Sequence, residues 1–258
     1  MPSLKIHQFP CLQDNYGYLV HIEGTDVTAT IDTPDADAIA AELDKCGWNL
    51  THILNTHWHP DHAGGNQALK DRYGAVVIAP IDPDERIAHV DRAVSEGDRL
   101  DLGGSEARVF SVPGHTTDHI AYWFPEAGVA FVGDTLFALG CGRLFEGTAE
   151  QMWESLGKLT ALPEDTVVYC AHEYTASNAR FAVTIEPDNA ALMKRVEEIR
   201  QLREAGKPTV PTTIGLELST NPFLRTRSPE ILERLEMAGQ GDVAVFAEVR
   251  SRKDNFKG

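Results

Sequence analysis

Short apolar, β-branched runs recur along the first two-thirds of the chain: Val27–Asp32, Thr51–Thr56, Ala75–Pro80, Ala107–Val112, Val129–Gly133 and Thr166–Cys170. Each is about strand length and is bounded by Gly, Pro or polar turns, which predicts strands. Between some of them the apolar period lengthens. Asp35–Lys45 puts Ile39, Ala40 and Leu43 on one face, Gly65–Tyr73 is a second candidate helix, and Thr148–Thr160 is a third with Thr148 as its N-cap. Beyond Tyr174 the texture changes. Leu192, Val196, Ile199 and Arg203 fall at helical spacing within Pro187–Ala205, a Pro/Thr-rich stretch follows at Lys207–Thr213, and Pro229–Ala238 and Val243–Val249 are helical again. The pattern predicts a strand-rich body over residues 1–172 and a helical region over 173–258, with no internal repeat and no low-complexity segment.

Composition narrows the class. The chain has 258 residues, with 39 Asp+Glu against 23 Lys+Arg and a net charge of −16, and 42% of its residues are hydrophobic. That is ordinary globular composition, in a chain long enough to bury a sizeable core. Its acidity argues against broad binding to nucleic acid or anionic membranes, which calls for a basic surface. No apolar run approaches the roughly 18–20 residues of a membrane helix. Met1–Pro10 lacks the cationic-then-apolar pattern of a signal peptide. Cys11, Cys46, Cys141 and Cys170 lie far apart with no C-x-x-C pair, which reads as a reduced cytoplasmic protein rather than a disulfide scaffold.

Chemistry is concentrated just past the apolar runs. Thr56-His57-Trp58-His59-Pro60-Asp61-His62 packs three histidines and a carboxylate into six positions after Ile53-Leu54. In an extended loop His57 and His59 point the same way, and Asp61 and His62 fall on the next turn. Imidazole and carboxylate are donors that borderline divalent metals prefer. The chain holds only 10 histidines, so this clustering is improbable by chance. His115 follows Ala107–Val112, Asp134 follows Val129–Gly133, and His172 follows Thr166–Cys170. Each alone reads as a structural residue at a strand end. Together five His and two Asp are too many for one tetrahedral ion and suit two ions sharing a bridging carboxylate and a water.

With these residues in view, the chain resembles the metallo-β-lactamase superfamily and, within it, the glyoxalase II (hydroxyacylglutathione hydrolase) family. The stretches that carry the resemblance are Thr56–Asn66 (THWHPDHAGGN), Pro113–Ile120 (PGHTTDHI), Gly133–Thr148 (GDTLFALGCGRLFEGT), Ala171–Thr175 (AHEYT) and Arg250–Phe256 (RSRKDNF). The resemblance implies a four-layer αββα α/β sandwich followed by an α-helical, glutathione-binding C-terminal domain. It implies two divalent ions per chain, zinc first and iron or manganese as alternatives. His57, His59 and His115 would hold one, Asp61, His62 and His172 the other, and Asp134 would bridge them, which makes Asp134 and Asp61 the catalytic carboxylates. A hydroxide held between the ions would attack the thioester of S-D-lactoylglutathione, releasing glutathione and D-lactate, the last step of methylglyoxal detoxification. Arg143, Phe145, Tyr174, Arg250 and Lys253 fall at the family's glutathione-contacting positions. Arg143 and Phe145 stand where the family has Lys and Tyr, so Phe145 brings no hydroxyl. A small-molecule substrate and a monomer in the cytoplasm complete the expectation.

Competing readings are another hydrolase of the superfamily (a lactamase, a lactonase or a nuclease), the related iron-dependent persulfide dioxygenase, and a non-enzymatic metal-binding module. Acidity disfavours a nuclease, and open His/Asp ligation disfavours a structural site, which is normally closed by four Cys or His. His7, His21, His52, His89 and His119 lie outside the ligand pattern and read as surface or structural residues. Cys141 and Cys170 read as small buried fillers rather than nucleophiles, and Trp58 and Pro60 as residues that shape their loop. The cluster Arg250, Arg252, Lys253 and Lys257 is a local positive patch to which an anionic small molecule would be drawn.

Overall fold

The computed structural model describes residues 3–258, which pack as two compact units. The first unit runs to Ser111 and resumes over Asp118–Gly133. It contains β1 (Leu4–Cys11), β2 (Asn15–Ile22), β3 (Thr28–Ile31), α1 (Ala36–Cys46), β4 (His52–Leu54), α2 (Pro60–Ala63), α3 (Asn66–Tyr73), β5 (Val76–Pro80) and β6 (Arg92–Val94). β7 (Arg99–Leu102), β8 (Ser105–Ser111), β9 (Ile120–Phe124) and β10 (Val129–Gly133) complete it. One sheet has the order β1-β2-β3-β4-β5-β6, antiparallel through β3 and parallel from β3 to β6. β7, β8, β9 and β10 form consecutive antiparallel pairs. Tyr18 of β2 meets Phe131 of β10 edge-on at 5.5 Å, so the two sheets pack face to face. α1 and α3 bury Ile39, Leu43 and Leu69 with Leu19, Ile53 and Val77 of the first sheet. Asp35 caps α1 by accepting from the Asp37 and Ala38 amides.

Register fixes where the chain leaves this sheet. Ile31 lies opposite Leu54, and Leu54 opposite Ile78. Asp32 and Asn55 therefore emerge side by side, their amides still donating to Leu54 O and Ile78 O.

The second unit takes Val112–Thr117 and Asp134–Gly258. It holds the hairpin β11 (Leu136–Phe137) and β12 (Gly140–Cys141), α4 (Ala149–Thr160), β13 (Val167–Cys170), α5 (Thr175–Ile185), α6 (Ala190–Glu204), β14 (Thr212–Thr213), α7 (Ile214–Thr220), α8 (Pro229–Arg234) and α9 (Asp242–Asp254). Thr148 caps α4 in a reciprocal box with Gln151, as the sequence predicts. Phe181, Phe223 and Phe246 form the aromatic centre of this unit, with Trp153 against Phe246.

Periodicity missed some elements for physical reasons. β2 is buried along almost its whole length, so no polar alternation marks it. α5 buries Thr175 and Asn178 beside Ala179, Phe181, Ala182 and Ile185, so polar residues interrupt its apolar stripe. α8 ends at Arg234 rather than Ala238, because Glu236 turns to φ +57°. α9 continues to Asp254, past Val249. Within Lys207–Thr213, Thr212 and Thr213 pair with β13 as β14.

Candidate metal centre

In the first unit the ligand loop is pinned by a residue the motif does not contain. Asp32, at φ +58° at the end of β3, is 5% exposed and accepts three hydrogen bonds. The Thr56 amide and hydroxyl donate at 2.7 and 2.8 Å, and His62 Nδ1 lies 2.8 Å from Asp32 Oδ2. A carboxylate facing Nδ1 places the proton there and leaves the lone pair on Nε2. Pro60 opens α2, and its turn is tied down by Thr33 N to His62 O (2.8 Å) and Asn55 Nδ2 to His62 O (2.9 Å). His57 Nε2 is then 3.0 Å from His59 Nδ1, and His62 Nε2 is 3.5 Å from Asp61 Oδ2. Asn15 Nδ2 donates to Asp61 Oδ2 at 3.0 Å. His119, outside the motif, is fully buried and stacks on His57 at 4.6 Å. Arg86 lies over Trp58 at 4.7 Å.

In the second unit Asp134 stands between two imidazoles. Its Oδ2 is 3.3 Å from His115 Nε2 and its Oδ1 is 3.4 Å from His172 Nε2. His115 Nδ1 donates to Arg143 O at 2.8 Å, which again presents Nε2. The backbone around Asp134 is crowded: a Cβ on Gly142 would collide with the Asp134 carbonyl oxygen. Gly114, at φ +150°, lies where a Cβ would come within 2.8 Å of Met152. His172 is stacked on Tyr174 at 4.6 Å with the rings parallel to within 1°.

These donor pairs suit a metal. Ligands about 2.0–2.1 Å from a tetrahedral zinc are about 3.3 Å apart, and the four pairs above are separated by 3.0–3.5 Å. Each of the seven sequence-predicted ligands belongs to one of these pairs within its own unit. The chain therefore has the donor set of a divalent-metal protein.

The five sequence-predicted substrate residues all lie in the second unit, with different exposures. Phe145 is 60% exposed and meets His115 edge-on at 5.2 Å. Arg143 is open to solvent, over the Phe145 ring at 5.9 Å. Tyr174 is partly exposed. Arg250 is buried: Nη1 donates to Cys141 O at 2.9 Å, Nε and Nη2 donate to Asp254 Oδ1 at 3.1 and 2.8 Å, and the guanidinium lies over Phe223. Lys253 is half-buried, with Nζ 3.3 Å from Ser177 O and between the rings of Phe181 and Phe256. Burial, helped by the nearby Arg250, Arg180 and Arg143, lowers the Lys253 amine to about 8.

The thiols are inert. Burial pushes Cys141 up to about 11 and Cys170 up to about 12, so neither is a thiolate at neutral pH. The other histidines are occupied locally: His7 pairs with Glu42 at 2.8 Å, His21 stacks on Trp48, and His52 contacts the Thr51 hydroxyl. His89 adopts φ +63° in a loop. Sequence reasoning missed Asp32, Asn15 and the packing of His119. Asp32 carried the same signal as Asp134, an acid closing an apolar run, but it lies 24 residues before Thr56.

The fold is the α/β sandwich of the metallo-β-lactamase superfamily, whose model matches residues 22–172, followed by a helical region. A model described as the hydroxyacylglutathione hydrolase C-terminus matches residues 173–256. The chain is 55% identical over 253 residues to a hydroxyacylglutathione hydrolase of Hyphomonas neptunium, covering 98% of each chain. It is 54% identical over 256 residues to that of Maricaulis maris, covering 99% of this chain and 100% of the relative. Among solved structures, TTHA1623 in a di-iron-bound form is 26% identical with a TM-score of 0.60, covering 85% of this chain and 100% of that one. The chain belongs to the hydroxyacylglutathione hydrolase family.

Proposed function

We propose that His57, His59 and His115 hold one divalent ion, that Asp61, His62 and His172 hold a second, and that Asp134 bridges them. The reaction is that of the family: water cleaves the thioester of a hydroxyacylglutathione, giving glutathione and a 2-hydroxy acid. The observation that carries the two-ion reading is Asp134, whose two oxygens face different imidazoles at 3.3 and 3.4 Å. A carboxylate that presents each oxygen to a different imidazole suits a bridge between two ions. When bound, a pair of divalent ions lowers the pKa of a water toward neutrality and polarises a carbonyl oxygen. The chain's own residues supply the rest. Asp32 and Arg143 O fix the tautomers of His62 and His115, and Asn15 holds Asp61 in place. The leaving thiolate is the base of a thiol of pKa about 8.5, so no acid is needed to release it.

Zinc is the ion proposed, and iron and manganese accept the same donors. Residues 1–172 are read as the catalytic domain and 173–258 as the glutathione-binding domain. Tyr174 and Lys253 of that domain, with Arg143 and Phe145 from outside it, would contact glutathione; Arg250, expected to do so too, is buried against Cys141 O and Asp254 and would brace them. Arg143, in place of the family's Lys, keeps the charge and adds a planar fork for carboxylates. Phe145 contributes apolar area in place of a hydroxyl. The four free cysteines suit a reducing compartment such as the cytoplasm, and one chain is taken as the working unit. No helix among the described residues is long and apolar enough to cross a membrane.

The test is Asp134→Ala, with elemental analysis alongside S-D-lactoylglutathione hydrolysis. Turnover is expected to fall at least about a thousandfold, with fewer than two ions per chain. Two retained ions and turnover within about tenfold of wild type would refute the bridge.

A further inference from the structure

We infer that Asp254 is a specificity-determining residue of the substrate site: an internal carboxylate that competes with the carboxylates of the glutathione moiety for Arg143. The inference rests on the reading of Arg143 and Lys253 as glutathione contacts. Asp254 is the last residue of α9, where an acid faces the negative end of the helix dipole. The helix gains nothing from a carboxylate there, so the reason for it lies in what the side chain touches. Its Oδ1 accepts two N–H groups from the buried Arg250, at 3.1 and 2.8 Å, and lies 3.6 Å from Arg143 Nε.

The two pairings are unequal. Arg250 is 7% exposed and aimed at the acid by two short bonds, whereas Arg143 is 61% exposed and only loosely paired. A ligand carboxylate reaching Arg143 therefore displaces a weak internal partner and leaves the Arg250 pair intact. Lys253, next along the helix, feels Arg143, Arg180 and Arg250 as like charges and Asp254 as the one opposing charge. Asp254 thus sits against Arg143 and Arg250 and beside Lys253, which lowers the attraction of these cations for any other anion. Ligands with carboxylates of their own can replace Asp254 at Arg143. Neutral thioesters cannot, and they have no reason to lodge there.

Asp254→Asn isolates the charge, because the amide oxygen still accepts from Arg250. KM for S-D-lactoylglutathione is expected to fall about two- to fivefold, the range of an exposed ion pair, and to depend more steeply on ionic strength. With both glutathione carboxylates esterified, the same variant should show the wild-type KM. Asp254→Glu, which keeps the charge, should not lower KM for either substrate. Arg143→Ala separates the two ideas. If Arg143→Ala raises KM but Asp254→Asn leaves it unchanged or raises it, Asp254 only braces Arg250 and the inference is overturned. An equal fall for the esterified substrate overturns it too, since charge competition would then not be the cause. If Arg143→Ala leaves KM unchanged, Arg143 does not bind glutathione, and the reading beneath the inference fails with it.

Discussion

Asp32→Asn tests whether an acid outside the motif sets the state of His62, a proposed metal ligand. The carboxylate accepts from the Thr56 amide through Oδ1, and from the Thr56 hydroxyl and His62 Nδ1 through Oδ2. An amide of the same shape has only one acceptor end. If its oxygen faces the Thr56 amide, its NH2 points at His62 Nδ1–H. If it is flipped, its NH2 points at the Thr56 N–H instead. Either orientation leaves two donors opposed in a pocket where His62 is 1% exposed. A buried, unmet donor costs about 1–3 kcal/mol. His62 escapes this by moving its proton to Nε2, the nitrogen that faces Asp61, and a protonated Nε2 cannot ligate. The same 1–3 kcal/mol then appears as a loss of metal affinity of about 5- to 150-fold, which brackets the 10- to 100-fold typical when a ligand's hydrogen-bond partner is replaced. The assay is ion content per chain by elemental analysis, after equilibration against a graded chelator series. About one ion should remain where the wild type keeps the two proposed for it, while the metal-free chain loses no more than about 12 °C in Tm. Two ions held with wild-type affinity would show that Asp32 does not set the His62 tautomer, and the account of this loop would be wrong.

Three further outcomes are expected. KM for the thioester should rise as pH passes through about 8, because the protonated Lys253 that attracts a carboxylate is lost there. Lys253→Arg should remove that rise in KM-versus-pH profiles, and an unchanged profile would separate Lys253 from binding. Iodoacetamide at pH 7 should leave turnover intact, since Cys141 and Cys170 are held at about 11 and 12; inactivation in proportion to labelling at either thiol would reopen a covalent route. Arg250→Ala should lower stability by about 1–3 kcal/mol in urea unfolding, because Cys141 O and Asp254 lose their donor, whereas Arg143→Ala should raise KM without altering the unfolding curve. The reverse pattern would exchange the roles given to the two arginines.

The residues proposed as metal ligands stand out in the sequence because their signal is local. Four lie within six consecutive positions, and the other three each close an apolar run that became a strand or its end. Thr148 was legible as a cap for the same reason, whereas the capping role of Asp35 emerged only from the structure. What the sequence concealed depends on partners far along the chain. Arg250 reads as a glutathione contact in a terminal positive cluster with Arg252 and Lys253, and only its bond to Cys141, 109 residues away, shows it to be buried. β2 was hidden because burial along nearly its whole length erases the polar alternation by which a strand is recognised, and α5 because polar Thr175 and Asn178 share its buried face.

The β11–β12 hairpin, which places Phe137 against His172 and Tyr174, is not held by its own two-residue strands. Leu139, at φ +58°, donates its amide to the buried Glu217 at 2.9 Å, and Glu217 is itself paired with the buried Arg195. Asn178 donates to Ala138 O, and Asn221 donates to Phe137 O and Gly140 O. Every one of these supports comes from beyond residue 172. A chain ended there would keep all seven ligands yet leave one amide and three carbonyls of the hairpin without their partners. The helical region is thus not a detachable recognition module grafted onto a self-sufficient hydrolase. A natural or engineered exchange of that region for another would have to carry its own equivalents of Glu217, Asn178 and Asn221, or the loop beside the last ligand would lose its shape.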